Sequence, residues 1–183
     1  YLTIAGEGAD EYAILFPEGS ASEVTAACRA LRQTIADAAG VRLDCENDEL
    51  PAWQTLPEDA PEILVGLTNR PASVSAYEAL ASAEDYVIEV ADSRIVIVGG
   101  SDAATIAAVN VFQSLLVFEN GAMRLRADLL LRADIDRTVD VAASDDPRYF
   151  VFTAAGTRCR LSYTGDLAWR LQTERGGVFD DSG

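Results

Sequence analysis

The stretch 94–112, RIVIVGGSDAATIAAVNVF, constrains this chain more than any other. Ile95–Val98 is apolar without alternation, so a strand there has no face to give to water. Such a strand belongs in the interior of a sheet covered on both sides. Gly99-Gly100 turns the chain, and Thr105, Ala108, Val109, Phe112, Leu115 and Leu116 then recur at helical spacing over 102–118. Strand, glycine turn and helix is also the form of a phosphate cradle. The dinucleotide pattern needs G-x-G-x-x-G, and the P-loop needs a Lys after its last glycine. Gly99-Gly100-Ser101-Asp102-Ala103-Ala104 meets neither. Asp102 puts a carboxylate where a phosphate would sit, whereas at an empty helix start it suits the dipole. Ser101 reads as the N-cap, and no cofactor is expected.

The flanking sequence supplies the rest of a layered fold. Residues 12–17, YAILFP, read as a strand closed by Pro17. Ser20 and Glu23 have capping-box spacing, and Val24, Ala27, Cys28, Leu31, Ile35 and Ala38 mark one helical stripe ending at Gly40. Val41–Cys45 is a short strand, residues 46–61 a polar surface loop, and Ile63–Val65 another strand. A short helix over Val74–Ala81, capped by Ser73 or Ser75, precedes an antiparallel hairpin of 84–90 and 95–98 turning at Asp92-Ser93. Tyr86, Ile88 and Val90 share one face of its first strand. The order β-α-β-β-α-β-β-α predicts a mixed sheet layered with helices, α/β in the broad (α+β) sense. Residues 121–147 read as linker or strand pair. RYFVFTA, TRCRLSY and LAWRLQT then form a meander with turns at Ala155-Gly156 and Thr164-Gly165-Asp166. The expected division is an α/β domain over 1–127, then a linker and β-meander over 128–183 that either opens a truncated β-sandwich or packs back on the first domain.

Composition removes much chemistry. The formal net charge is −16, from 30 acids against 14 bases, and every base is Arg. Nucleic acid and anionic membrane surfaces are therefore poor partners. No apolar run approaches the ~20 residues that span a bilayer. There is no His, which excludes Ser-His-Asp and Cys-His catalysis and His-based zinc sites. The absence of Lys excludes Schiff-base chemistry. Cys28, Cys45 and Cys159 are odd in number and form no CxxC, so they are not a disulfide framework. Cys28 falls on the apolar helix stripe as a small hydrophobe, and a Cys28–Cys45 bridge is conceivable. Tyr1 in place of Met and the stop at Gly183 read as an excised segment, without the pattern of a signal peptide.

Four residues are candidates for substrate contact. Asn69 and Arg70 stand in LTNRPAS, directly after a strand end, where loops often carry ligand contacts. The plainer alternative is a turn in which Asn69 bonds backbone and Arg70 makes a surface ion pair. Trp53 and Trp169 offer rings for sugar stacking, although Trp169, in an alternating strand, is expected in a core. Glycoside chemistry needs two positioned carboxylates. Among 30 acids some pair always exists, and only Glu89 has an apolar context. Its side chain is expected to face solvent. No catalytic residue and no metal ligand is assigned.

YAILFPEGSASEVTAACRALRQTIADAAGVRL, PEILVGLTNRPAS and DYVIEVADSRIVIVGGSDAATIAAVNVF, taken in order, resemble one family. It is the small non-catalytic α/β domain that precedes the catalytic barrel in family 20 β-hexosaminidases and in α-glucuronidases. The resemblance covers about residues 10–120 and is most specific in EILVG-x-TNR, the hairpin and IVGGS-DAAT. It implies an accessory, scaffolding region of a larger, secreted bacterial glycoside hydrolase, located outside the cell or on its surface. Its partner would be the neighbouring catalytic domain of the same chain. The catalytic Asp-Glu pair of that family belongs to the barrel, so no residue role carries over. RLSYTGDLAWRLQTERGGVFDDSG resembles, less specifically, the opening of the β-sandwich that precedes family 31 α-glucosidase barrels. The rival functions are a carbohydrate-binding module and a cell-surface protein-interaction module.

Overall fold

A computed structural model of the chain describes residues 1–9, 12–135, 149–154, 157–165, 168–175 and 178–179. The chain opens with β1 (Leu2–Gly6), then β2 (Ala13–Phe16), α1 (Ser22–Ala39), β3 (Asp44–Asn47) and β4 (Glu62–Val65). It continues with α2 (Pro71–Glu78), β5 (Asp85–Ala91), β6 (Arg94–Gly99) and α3 (Asp102–Leu115). After these come β7 (Val117–Glu119), β8 (Ala122–Leu125) and β9 (Leu130–Asp134). The last strands are β10 (Tyr149–Ala154), β11 (Thr157–Gly165), β12 (Ala168–Arg175) and β13 (Val178–Phe179). From β2 to α3 the order is the one expected, and the class is α+β with mixed sheets.

The main sheet has six strands in the order β3-β2-β4-β6-β5-β9. β3, β2, β4 and β6 run parallel, and β5 and β9 are antiparallel. β6 is interior, and Ile95, Val96, Ile97 and Val98 are all fully buried, as a strand without a polar face requires. β9 adds an edge strand beside β5 from the stretch read as linker or strand pair.

The two faces of this sheet are covered differently. On one side lies the large core. There Val24, Cys28, Leu31 and Ile35 of α1 and Ala108, Val109, Phe112 and Leu115 of α3 meet Ile14, Ile63, Ile88, Ile95 and Ile97. A three-stranded sheet, β1-β8-β7, adds Ile4, Ala5, Met123 and Leu125 to the same core. The opening strand Leu2–Gly6 was not foreseen, because its partner, β8, lies more than a hundred residues away in sequence. Among the described residues, the one helix on the other side is α2, over a smaller cluster of Leu15, Leu64, Ala76, Val87, Val96 and Val98. β10–β13 form an antiparallel meander, and Leu161 of β11 packs against the large core. The turn expected at Ala155-Gly156 lies outside the described residues.

Helix ends correct part of the sequence reading. Ser101 caps α3, accepting from the Ala104 N–H at 3.2 Å, as expected. Gly40 closes α1 in the left-handed conformation, with its N–H on the Ala36 carbonyl. Ser20 does not cap α1: Ala21 is the N-cap, and the Ser20 hydroxyl donates instead to the Pro17 carbonyl at 2.6 Å. α2 starts three residues before Val74, with Pro71 in its first turn and no side-chain cap. Pro71 presets the helical φ there without sacrificing a needed N–H. Ser73 is then inside the helix, where its hydroxyl donates to the Gly66 carbonyl and accepts from the Thr68 N–H.

Candidate functional site

The polar residues that converge lie on the thinly covered face. Glu62 opens β4, Arg70 precedes α2, and Arg94 opens β6. Arg70 gives its Nε and Nη2 to Glu62 Oε1, at 2.9 and 2.7 Å, and its Nη1 to Asn69 Oδ1 at 2.6 Å. Arg94 gives its Nε to Glu62 Oε2 at 2.8 Å. Its Nη1 and Nη2 donate to the main-chain carbonyls of Glu58 and Pro57. Glu62 and Arg70 are each 4% exposed, so this is a buried Arg–Glu–Arg cluster and not the surface ion pair considered for Arg70. Replacing both partners of such a pair by apolar groups can be neutral, whereas removing one leaves a bare buried charge.

Asp48, also buried, holds the neighbouring main chain. Its Oδ1 accepts from the Glu18 N–H at 2.8 Å and its Oδ2 from the Asn69 N–H at 2.6 Å. The Asn69 amide returns a bond to the Asp48 carbonyl at 2.7 Å. Asn69 thus bonds backbone, as the plainer reading had it, but does so across 21 residues of sequence. Asp48 at one end and Arg94 at the other pin the segment 48–61, which carries no helix or strand of its own. Neither Asp48, Glu62 nor Arg94 stood out in the sequence, since nothing local marks an acid or arginine as buried.

Between this segment and the sheet lies an open groove of about 780 Å³, floored by Ala13 and Leu15, with Glu62 and Arg70 in its lining. Trp53 stands on the segment with 83% of its surface exposed. Trp169 stands on β12 opposite Tyr163, and its side chain lies outside the described residues. Of the four candidates, the structure brings together Asn69 and Arg70. Glu89 is half-buried on β5.

The glycine turn after β6 packs closely on its own chain at both glycines. A Cβ on Gly99 would meet the Thr105 nitrogen at 2.4 Å, and one on Gly100 would meet the Ser82 carbonyl oxygen at 2.2 Å. The Gly99 N–H donates to Thr105 Oγ1 at 3.1 Å. These glycines are there so that backbone can approach backbone. The cysteines are free thiols: Cys28 is buried in the large core, which pushes its pKa up to about 12, and the half-buried Cys45 is raised by the same desolvation.

No family model matches this chain. No curated protein matches it either. Among solved structures it is similar to one named CpGH84D, with 14% identity and a TM-score of 0.38, over 56% of this chain and 17% of that one. It is also similar to the chitobiase of Flavobacterium johnsoniae, FjGH20, with 15% identity and a TM-score of 0.40, over 72% of this chain and 17% of that one. The chain thus resembles a small part of glycoside hydrolase structures of families 84 and 20.

Proposed function

We propose that this chain is a non-catalytic accessory region of a larger, exported bacterial glycoside hydrolase, and that it supports a neighbouring catalytic domain. One observation carries the reading: the buried charged residues on the open face, Asp48, Glu62 and Arg70, are turned toward their own chain. Glu62 is saturated by Arg70 and Arg94, and Asp48 by two amide N–H groups. A carboxylate whose oxygens are so occupied is poorly placed to give or take a proton from substrate. The cluster acts as a lock on two loops, which is what a rigid support needs. The test is turnover by the 183-residue chain on a panel of aryl glycosides. Background rates are expected, and substantial hydrolysis would overturn the reading. In the parent enzyme, deleting the chain should lower the melting temperature of the catalytic domain.

The exposed Trp53 ring favours a second reading, a carbohydrate-binding module. Calorimetric titration of a glycan panel separates the two: silence across the panel supports the scaffold, and saturable heat that vanishes in Trp53→Ala supports sugar binding.

A further inference from the structure

The two arginines that flank Glu62 are used differently. Arg94 places its Nε on the carboxylate and both terminal nitrogens on main-chain carbonyls, those of Glu58 and Pro57. Arg70 places its Nε and one Nη2–H on the same carboxylate, and one Nη1–H on Asn69. A guanidinium has five N–H donors. One N–H on each terminal nitrogen of Arg70 therefore has no acceptor among the described residues. Arg70 is almost wholly buried and lines the groove. A buried donor in that state favours any acceptor brought to it.

Arg94 shows what fits beside Glu62: main-chain carbonyl oxygens. The charge of the groove narrows the choice further. The buried cluster is balanced, two arginines against Glu62 and Asp48. Glu46 and Glu49 line the groove, are exposed, and have no cationic partner among the described residues. In a chain of net charge −16 this disfavours an anionic occupant and favours a basic one. Leu15 on the floor and Pro51 in the wall supply apolar contact.

We propose that this groove docks an extended peptide segment bearing Lys or Arg, whose carbonyls accept from Arg70 and whose cationic side chains meet Glu46 and Glu49. The inference deepens the supporting role proposed above and rests on it only for the source of the segment, a neighbouring domain.

The experiment is selection from a random octapeptide display library on the 183-residue chain, followed by calorimetry on the best capped synthetic peptide. Selected sequences should be enriched in Lys and Arg, and their affinity should fall with salt. The double variant Glu46→Gln, Glu49→Gln removes two exposed charge contacts and should weaken binding roughly tenfold without moving the melting temperature. The Arg70 side-chain N–H resonances should shift on binding. Failure to select any sequence, enrichment in acidic residues, or affinity indifferent to the double variant overturns the proposal. So does a neutral oligosaccharide that shifts the amides of 48–61 when no peptide does. If the peptides fail while deletion of the chain still destabilises the parent's catalytic domain, the groove is wrong and the supporting role stands. If basic peptides bind while the deletion changes nothing, the supporting role is what fails.

Discussion

The two faces of the six-stranded sheet follow different construction rules. Toward α1 and α3 the sheet is closed by apolar packing, helix on strand, with Phe112, Leu31, Ile35 and Ile97 fully buried. Toward α2 it is closed by a short helix and by a segment without regular structure, and the fastening there is ionic. The difference follows from coverage. A long amphipathic helix buries enough apolar surface to hold its place, at about 1.5–3 kcal/mol for each large side chain. The segment 48–61 has few apolar residues facing inward, so it is held by side chains that bond its main chain at both ends, Asn69 at one and Arg94 at the other. The first solution closes the face with side chains alone. The second leaves a groove.

The sharpest way to break this contrast is to cut each face at its centre. Phe112→Ala removes a fully buried ring from the closed face and should cost about 3–5 kcal/mol in chemical denaturation. If it costs little, the helical face is not the source of stability. Glu62→Gln should cost about 3 kcal/mol, because it strands two guanidinium groups in the interior. It should also release the 57–58 main chain, seen as faster amide exchange there than in α1. A cost as small as that of an exposed pair would mean the cluster is ornamental.

Cys28 tests the closed face with pH. Its thiol titrates near 12 when folded and near 9 when free, so the unfolded chain sheds its proton first as pH rises. Its stabilising contribution is complete below about pH 9 and declines above it, by roughly 1 kcal/mol per pH step until the folded thiol also ionises. Cys28→Ala should flatten that limb of the pH–stability curve. Thiol reagents at neutral pH should modify the half-buried Cys45 well before Cys28. Ser101→Ala removes the cap of α3 and should cost about 1 kcal/mol. Trp53→Ala, at the exposed edge of the ionic face, should change stability by less than about 0.5 kcal/mol. A larger loss would mean the ring packs against something.

Local pattern made the closed face legible. Apolar periodicity marked α1, α3 and β4–β6, and Ser101 and Gly40 marked helix ends, because each rests on residues within one or two turns of one another. The errors were local too. Ser20-x-x-Glu23 has the spacing of a capping box, but the Pro17 carbonyl took the hydroxyl first. The ionic face was legible only as the loop containing Asn69 and Arg70. Its other members are separated by 21 residues between Asp48 and Asn69 and by 32 between Glu62 and Arg94. An acid that starts a strand looks the same in sequence whether its carboxylate meets water or two arginines.

The sequence by itself determined the order of strands and helices from β2 to α3, the two-sided burial of β6 and the poverty of catalytic side chains. Periodicity and composition act on neighbouring residues and need no partner to be read. Tertiary structure alone decided that Gly99 and Gly100 let backbone approach backbone, and that Arg70 turns inward to Glu62 and lines a groove. Those outcomes depend on which distant groups arrive within hydrogen-bond reach, and only the packed chain sets that.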